Sequence, residues 1–477
     1  MADTPLHWQT ISSLSEQIHN GALSPVTLME HLLDCVAALD PALHAFRLVS
    51  HERALTAAQA SELALRAGHD AGPLHGIPYA VKDIIDVQGL PTTAGSHLLE
   101  DHIAATDATV VRRLRQAGMI LLGKTNTVQF AFGAPGVNHH HGTPHNPWHP
   151  THHVPGGSSN GSGVAVGAGL VPMALGTDTG GSVRIPAALC GTVGLKTTVG
   201  SISRAGVFPL SWTFDSVGPL TRSVRDAALT YQAMRGPDPL DSSTHGAAPQ
   251  DVLTGLTDGV RGLRIAFAES VFWDEVDVEV EQAVRACGDV FANLGAHVKS
   301  LPFPEAVEAL AANPVGIISA VEACKAHEER GLGDRFDEYD AVVTYRIQPG
   351  KEARAVDYLQ AIDRCRTLQT NIRRGLQDVD VLLAPTTMIP AWPLDEVDAS
   401  PEAYQHWNPR YSRNTRVFNV LGMCSLTVPC GFTSNGLPIG LMISGKPFDE
   451  AMILRVGHAF EQATDWHRRT PALSWAQ

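Results

Sequence analysis

Gly156-Gly157-Ser158-Ser159-Asn160-Gly161-Ser162-Gly163 and, after an apolar run, Gly176-Thr177-Asp178-Thr179-Gly180-Gly181-Ser182-Val183-Arg184-Ile185-Pro186 make one glycine- and serine-rich segment whose reading decides the fold. Paired glycines before Ser158 and before Ser182 let the backbone approach another group closely and take conformations closed to other residues. Residues 164–170 and 183–190 have the pattern of helices, so each turn precedes a helix amino terminus, where unpaired amides face developing negative charge. Ala174-Leu175-Gly176-Thr177 reads as a short strand. The second turn is then a tight loop between strand and helix, and its amides suit an oxyanion hole, a device worth about 3 to 4 kcal/mol per donor. A turn that only packs a helix on a sheet has the same letters, so the turn alone leaves both readings open.

Outward from this segment, helices alternate with short apolar strands, which places the chain in the α/β class. Ser24-Pro25 followed by Val26, Leu28, Leu32, Val36 and Leu39 is a capped helix with proline at its first position. Residues 80–85 read as a strand entering a loop, 108–116 as a helix stopped near Gly118, and 119–122 as a buried strand. Gly236 to Gln250, rich in Pro, Ser, Gly and Asp, marks a surface excursion set at about 236–260. Beyond it come a strand at 263–267, a helix at 279–294, a mainly helical stretch at about 303–375, and buried strands at 379–384 and 424–429. Residues 1–477 are expected to form a single domain with a catalytic core at about 70–235.

A formal charge of −14 repels phosphate backbones, so no nucleic-acid partner is expected. No apolar run approaches the roughly 20 residues that span a bilayer, and the first residues lack a secretory leader, so no membrane partner is expected. The seven cysteines are odd in number and form no Cys-x-x-Cys, which points to reduced thiols and a cytoplasmic setting. A lysine in an apolar setting stands out, because only seven of the 35 basic side chains are lysines.

Three motif matches fail on context. Gly118 to Thr125 fits the phosphate-loop spacing, but the residues between the glycines read as the strand itself and a helix precedes them. Gly157-Ser158-Ser159-Asn160-Gly161 fits a hydrolase nucleophile elbow at Ser159, yet Pro147, Pro150 and Pro155 exclude the central strand an elbow must follow. The histidines at 139, 140, 141, 145, 149, 152 and 153 are interrupted by Pro144, Pro147 and Pro150, with no nearby cysteine or paired carboxylate, and read as loop residues rather than metal ligands.

The chain resembles the amidase signature family. The resemblance rests on Gly76-Ile77-Pro78 with Val81-Lys82-Asp83, Gly123 to Asn126, Gly142-Thr143-Pro144 with Asn146-Pro147, residues 155–163 and 176–186, Gly194-Leu195-Lys196, and Ser216 to Pro219. It continues through Phe418-Asn419, Val428-Pro429, 436–440 and 461–464, nearly the whole chain. It implies a large mixed central β-sheet covered by helices on both faces, and hydrolysis of a carbon–nitrogen bond in a small-molecule amide.

Carried over by position, the resemblance makes Ser182 the nucleophile, Ser158 a bridging serine after a cis peptide bond, and Lys82 the base. Asp178 and Arg184 support the loop, and Thr179, Gly180, Gly181 and Ser182 supply oxyanion amides. Residue chemistry agrees for Lys82: a lysine acts as a base only when neutral, which Val81, Ile84 and Ile85 favour, whereas Lys124 beside Thr125 and Asn126 is less suited. An acyl-enzyme on Ser182 needs no metal or organic cofactor.

Thr197 replaces the family's usual proline. Gln129 replaces a common glutamate and should alter polarity near the acyl pocket, where small Ala131 leaves room. Carbamate, urea-type or ester hydrolysis is the alternative with the same triad. The first subunit of the glutaminyl/aspartyl-tRNA amidotransferases ranks lower, because Ile185 follows Arg184 where that subunit typically has glutamine, and Asp-Glu-Phe-Ala is missing. A non-catalytic paralogue ranks lower still, since Lys82, Ser158 and Ser182 are all present. A homodimer is the default assembly for a soluble enzyme.

Overall fold

The sheet explains why residues far apart in sequence reach one site. In the computed structural model, which describes residues 4–246 and 250–477, the strands are β1 (Phe46–Val49), β2 (Pro78–Lys82), β3 (Ile120–Thr125), β4 (Met173–Asp178), β5 (Val193–Lys196) and β6 (Ser216–Thr221). They continue as β7 (Arg264–Glu269), β8 (His297–Pro302), β9 (Val381–Pro385), β10 (Cys424–Phe432) and β11 (Pro438–Gly445). All lie in one mixed sheet, ordered β1-β3-β2-β4-β6-β5-β10-β11-β9-β7-β8. β2 runs parallel to β3 and β4, whereas β4 and β5 pair antiparallel with β6. Every position of β2, β4, β6, β9 and β11 is buried, which requires cover on both faces of the sheet.

Local chemistry sets the helix ends. The Ser24 hydroxyl accepts from the amides of Val26 at 3.0 Å and Thr27 at 3.4 Å, capping the helix Pro25–Leu43. The helix Thr109–Gln116 ends just before Gly118, whose φ of +82° suits glycine. β3 runs on to Thr125, past the expected end at Leu122, because β1 pairs alongside it. A Cβ on Gly123 would come within 2.3 Å of the Leu48 carbonyl oxygen, so this glycine permits strand contact and the phosphate-loop letters are a coincidence. No strand leads directly into Ser159, which follows a loop from residue 132 and stands at the N-cap position of the helix Asn160–Gly167, so the elbow match also fails in three dimensions.

One expectation needs correction. Glu305–Glu328 is long and apolar enough to cross a membrane by length and composition, with a mean hydropathy of 1.3. It is not a continuous helix: Glu305–Ala312 and Ile317–Glu328 are separated at Asn313 to Gly316. Ala306, Ala309, Ile318, Ala320 and Ala323 on these helices are buried within the protein. They belong to a helical region that also holds Ala341–Glu352 and Ala355–Gly375. Within 236–260, residues 247–249 lie outside the described residues, while Val252, Leu256 and Val260 are buried.

Because β2 and β4 are parallel neighbours, with Ala80 beside Ala174 and Val81 beside Leu175, Lys82 and Thr177 emerge at the same sheet edge. The helix Asn160–Gly167 returns the chain into β4, which brings the two glycine-serine turns together at that edge.

The centre of the sheet leaves little space. A Cβ on Gly218 in β6 would sit 1.9 Å from the Leu195 carbonyl oxygen. Gly218→Ala should destabilise the protein by at least about 1 to 3 kcal/mol, seen as a lower urea midpoint with unchanged slope. A midpoint equal to the parent's would refute this packing account.

Candidate active site

Three lysines, Lys82, Lys124 and Lys196, are buried with at most 1% exposure, and their partners separate them. Lys124 Nζ lies 2.7 Å from Asp83 Oδ1 and donates to the Pro91 carbonyl at 2.6 Å and Thr92 Oγ1 at 2.8 Å. Lys196 donates to the carbonyls of Thr197 at 2.9 Å and Met423 at 2.8 Å. Among the described residues Lys82 has neither a carboxylate nor a carbonyl partner: its Nζ donates to Ser158 Oγ at 2.7 Å and Thr177 Oγ1 at 3.0 Å. Burial pulls its pKa down to about 7, partly opposed by Asp215 and Asp178. Of the three, Lys82 therefore combines a neutral amine near pH 7 with a direct contact to a serine hydroxyl.

The Gly157–Ser158 peptide is cis. Ser159 beside it locks the first turn onto β4: its Oγ lies 3.3 Å from both the carbonyl and the amide of Thr177. Gly176 makes room for that contact, since a Cβ there would fall 2.7 Å from Ser159 Oγ. The Ser159 amide donates to the Ser182 carbonyl at 3.3 Å, joining the two turns through their backbones. Lys82 and Ser158 are thus in direct contact, while the Ser182 hydroxyl makes no hydrogen bond to a described residue and lines a partly open cavity.

The turn that carries Ser182 is shaped by Asp178. Its Oδ1 accepts from the Gly181 amide at 2.9 Å and its Oδ2 from the Val183 amide at 3.2 Å. Arg184 pairs with the same carboxylate through Nε at 3.0 Å and Nη2 at 2.9 Å, and Asn419 Nδ2 adds a bond at 2.9 Å. Burial would raise the Asp178 pKa, but Arg184, Lys196 and Asn419 more than offset it and hold the carboxyl well below its usual range. Gly181 is doubly required, by a φ of +133° and by Thr415 Oγ1 lying 2.2 Å from where a Cβ would be. With the Gly181 amide engaged by Asp178, the amides of Thr179, Gly180 and Ser182 are those without an acceptor among the described residues. Thr179 Oγ1 donates to Asp215 Oδ1 at 2.5 Å, and Asp215 Oδ2 accepts from the amides of Leu210 and Ser211, both at 2.9 Å.

Ala131 lines the cavity. Gln129 does not: it is fully buried, donating to Ser96 Oγ and accepting from the Asp340 amide, both at 2.8 Å, so it anchors the helical region to the core. Sequence reasoning missed Thr177, Asp215 and Asn419, although each lies in or beside a matched motif. It also missed Arg346 and Arg416 in the cavity wall, for which no local pattern exists.

The histidine loop mostly ties itself down. His145 Nε2 contacts the His149 carbonyl at 3.0 Å and His153 Nδ1 the Thr151 carbonyl at 2.9 Å. His139 bridges Asp340 and Asp398 at 2.7 Å each, and hydrogen bonds to Asp340 first and then Asp398 raise its pKa to about 10. Two triplets, His7-His31-Cys35 and His97-Glu100-His141, bring ligand atoms within 4.8 Å of one another, and neither is part of the cavity lining.

A family model described as Amidase matches residues 27–454. The GatA-type chain of the glutamyl-tRNA(Gln) amidotransferase from Roseiflexus sp. (strain RS-1) is 39% identical over 98% of this chain and 99% of the relative. Among solved structures, 6-aminohexanoate cyclic dimer hydrolase complexed with substrate superposes with a TM-score of 0.89 at 29% identity, covering 98% of this chain and all of that one. Native peptide amidase from Stenotrophomonas maltophilia gives 0.86 at 30% identity, covering 98% and 99%.

Removing the Asp178 carboxylate leaves Arg184 buried without its partner and three turn amides without an acceptor. Asp178→Ala should therefore cost about 3 to 5 kcal/mol of stability, measured by urea denaturation at pH 7. A loss below about 1 kcal/mol, the range of exposed pairs, would contradict this account.

Proposed function

The chain belongs to the amidase signature family, and on that premise we propose that it hydrolyses small amides through Ser182, Ser158 and Lys82, forming an acyl-enzyme on Ser182. The observation that carries this reading is the Lys82–Ser158 hydrogen bond at 2.7 Å, in a turn whose Ser159 amide donates to the carbonyl of the cavity-lining Ser182. Neutral Lys82 accepts a proton from Ser158 Oγ, which takes one from Ser182 Oγ as that oxygen attacks the amide carbon. The carbonyl oxygen gains negative charge and is held by the amides of Gly180 and Ser182. The proton then passes back through Ser158 to the leaving nitrogen, the carbon–nitrogen bond breaks, and ammonia or an amine departs. Water attacks the ester by the reverse relay, releasing the acid and restoring Ser182. Carbamates and esters are accessible to the same steps.

The 39% identity to one component of an amidotransferase supports a second reading, in which this chain works within an assembly and the amide nitrogen is transferred rather than released. The two differ in what the isolated chain does.

For the first reading, the purified chain alone should hydrolyse members of a panel of primary amides, anilides, carbamates and esters, with an acyl adduct on Ser182 seen by mass spectrometry. Ser182→Ala should lower turnover by about a thousandfold or more while the denaturation midpoint is kept. Full turnover in that variant would sink the mechanism. A chain silent alone but active when its neighbours are added would favour the second reading.

The protonation of Lys82 gives a further check. The base must be neutral, so kcat/KM should rise with pH through about 7 and level off above. A profile flat between pH 6 and 8 would remove Lys82 from the role of base.

A further inference from the structure

The cavity lined by Ser182 also presents two guanidinium groups. Arg346 comes from the helix Ala341–Glu352 and Arg416 from the helix Pro401–Val420. Arg346 donates to the Asn408 side-chain oxygen at 3.3 Å and stacks over the Phe132 ring, 4.4 Å from its centre. Arg416 donates to the Asn313 carbonyl at 3.4 Å. Among the described residues neither forms an ion pair, and no aspartate or glutamate lines the cavity. The remaining polar lining is neutral, including Asn313, Ser319, Ser412 and Asn419.

Two like charges held together in a partly enclosed wall repel one another, and burial makes that repulsion harder to screen. The pKa of Arg416 is lowered to about 10, by burial first and by Arg346 second, which still leaves it charged at neutral pH. Contrast Arg184, whose charge is matched within the protein by Asp178. A charge pair of one sign, open to the cavity and lacking a protein counter-ion, is complementary to a bound anion. The guanidinium fork matches a planar carboxylate in particular. An ammonium group on the same ligand would meet two cations and no carboxylate.

We propose that the acyl part of the substrate carries a carboxylate and no ammonium, so that the enzyme takes a monoamide of a dicarboxylic acid in preference to a neutral amide or a zwitterionic amino-acid amide. Arg346 and Arg416 are the residues that select it. This inference rests on the amide-hydrolase reading of Ser182, and it adds the charge of the group at the other end of the substrate.

Three amides of one carbon skeleton isolate that charge: glutaramate has the carboxylate alone, L-glutamine adds an ammonium, and pentanamide has neither. The ratio of kcat/KM for glutaramate over pentanamide should be about 10- to 100-fold, and glutaramate should also exceed L-glutamine. Arg346→Gln and Arg416→Gln should each reduce the first ratio about tenfold, with folding checked by thermal denaturation. Arg346→Lys should restore part of it. Turnover of pentanamide or L-glutamine equal to that of glutaramate would overturn the charge preference while leaving the Ser182 hydrolase intact.

Absence of turnover on all three and on the wider panel would count against the hydrolase reading instead. Calorimetry on Ser182→Ala then tests the anion site separately. Glutaramate binding tighter than pentanamide, with the difference lost when Arg346→Gln is added to Ser182→Ala, supports the proposal; equal binding defeats it.

Discussion

Excluding water and acids from one amine is the constraint on which the rest depends. Lys82 is fully buried with two hydroxyls as its hydrogen-bond partners. A buried ammonium is costly, so such a site favours the neutral amine. Keeping it that way takes a central strand buried on both faces. It also demands that nearby carboxylates be occupied elsewhere: Asp83, the very next residue, is turned toward Lys124 at 2.7 Å, and Asp178 is committed to Arg184. The three buried lysines thus differ in their partners, with Lys124 holding the acid next to Lys82 and Lys196 adding positive charge near Asp178.

Much of this was legible in the sequence because its glycine and serine motifs are local. The turns 156–163 and 176–186 announce their backbone requirements in their letters, and the strand-helix pattern around them follows from apolar spacing. Lys82 could be told from Lys124 by its apolar neighbours, although the structure buries both and assigns the difference to Asp83 instead. Gln129 was misplaced for a related reason. Its position next to Ala131 suggested the pocket, but the φ of +52° at Phe130 and +61° at Ala131 turns the chain between them, so one side chain meets Asp340 and the other the cavity. Arg346 and Arg416 lie more than 150 residues from Ser182 on amphipathic helices, where an arginine ordinarily means a solvated face. Only tertiary packing brings them to the cavity.

The cavity draws on two parts of the molecule. Lys82, Ser158 and the Ser182 turn gather at the ends of β2 and β4, joined by the Lys82–Ser158 side-chain contact and the Ser159 amide to Ser182 carbonyl bond. Arg346, Asn313 and Ser319 in the cavity wall come from the helical region. That region is fastened by a small set of polar links. Glu322 accepts from Ser211 Oγ, the Thr213 amide at 3.1 Å and Tyr358 at 2.9 Å, and Asp340 receives Gln129 through its amide.

His139 gives the fastening of the histidine loop an unusual property. Its ring is clamped between two carboxylates from different parts of the chain, and with a pKa raised to about 10 it stays an imidazolium in the folded protein at neutral pH. A histidine raised in this way adds stability in full below its unfolded value of about 6.5 and loses the contribution only as pH climbs through about 10. The loop is therefore fastened by a charge that does not change across neutrality, and the part of the molecule that looks most like a pH sensor holds its place passively.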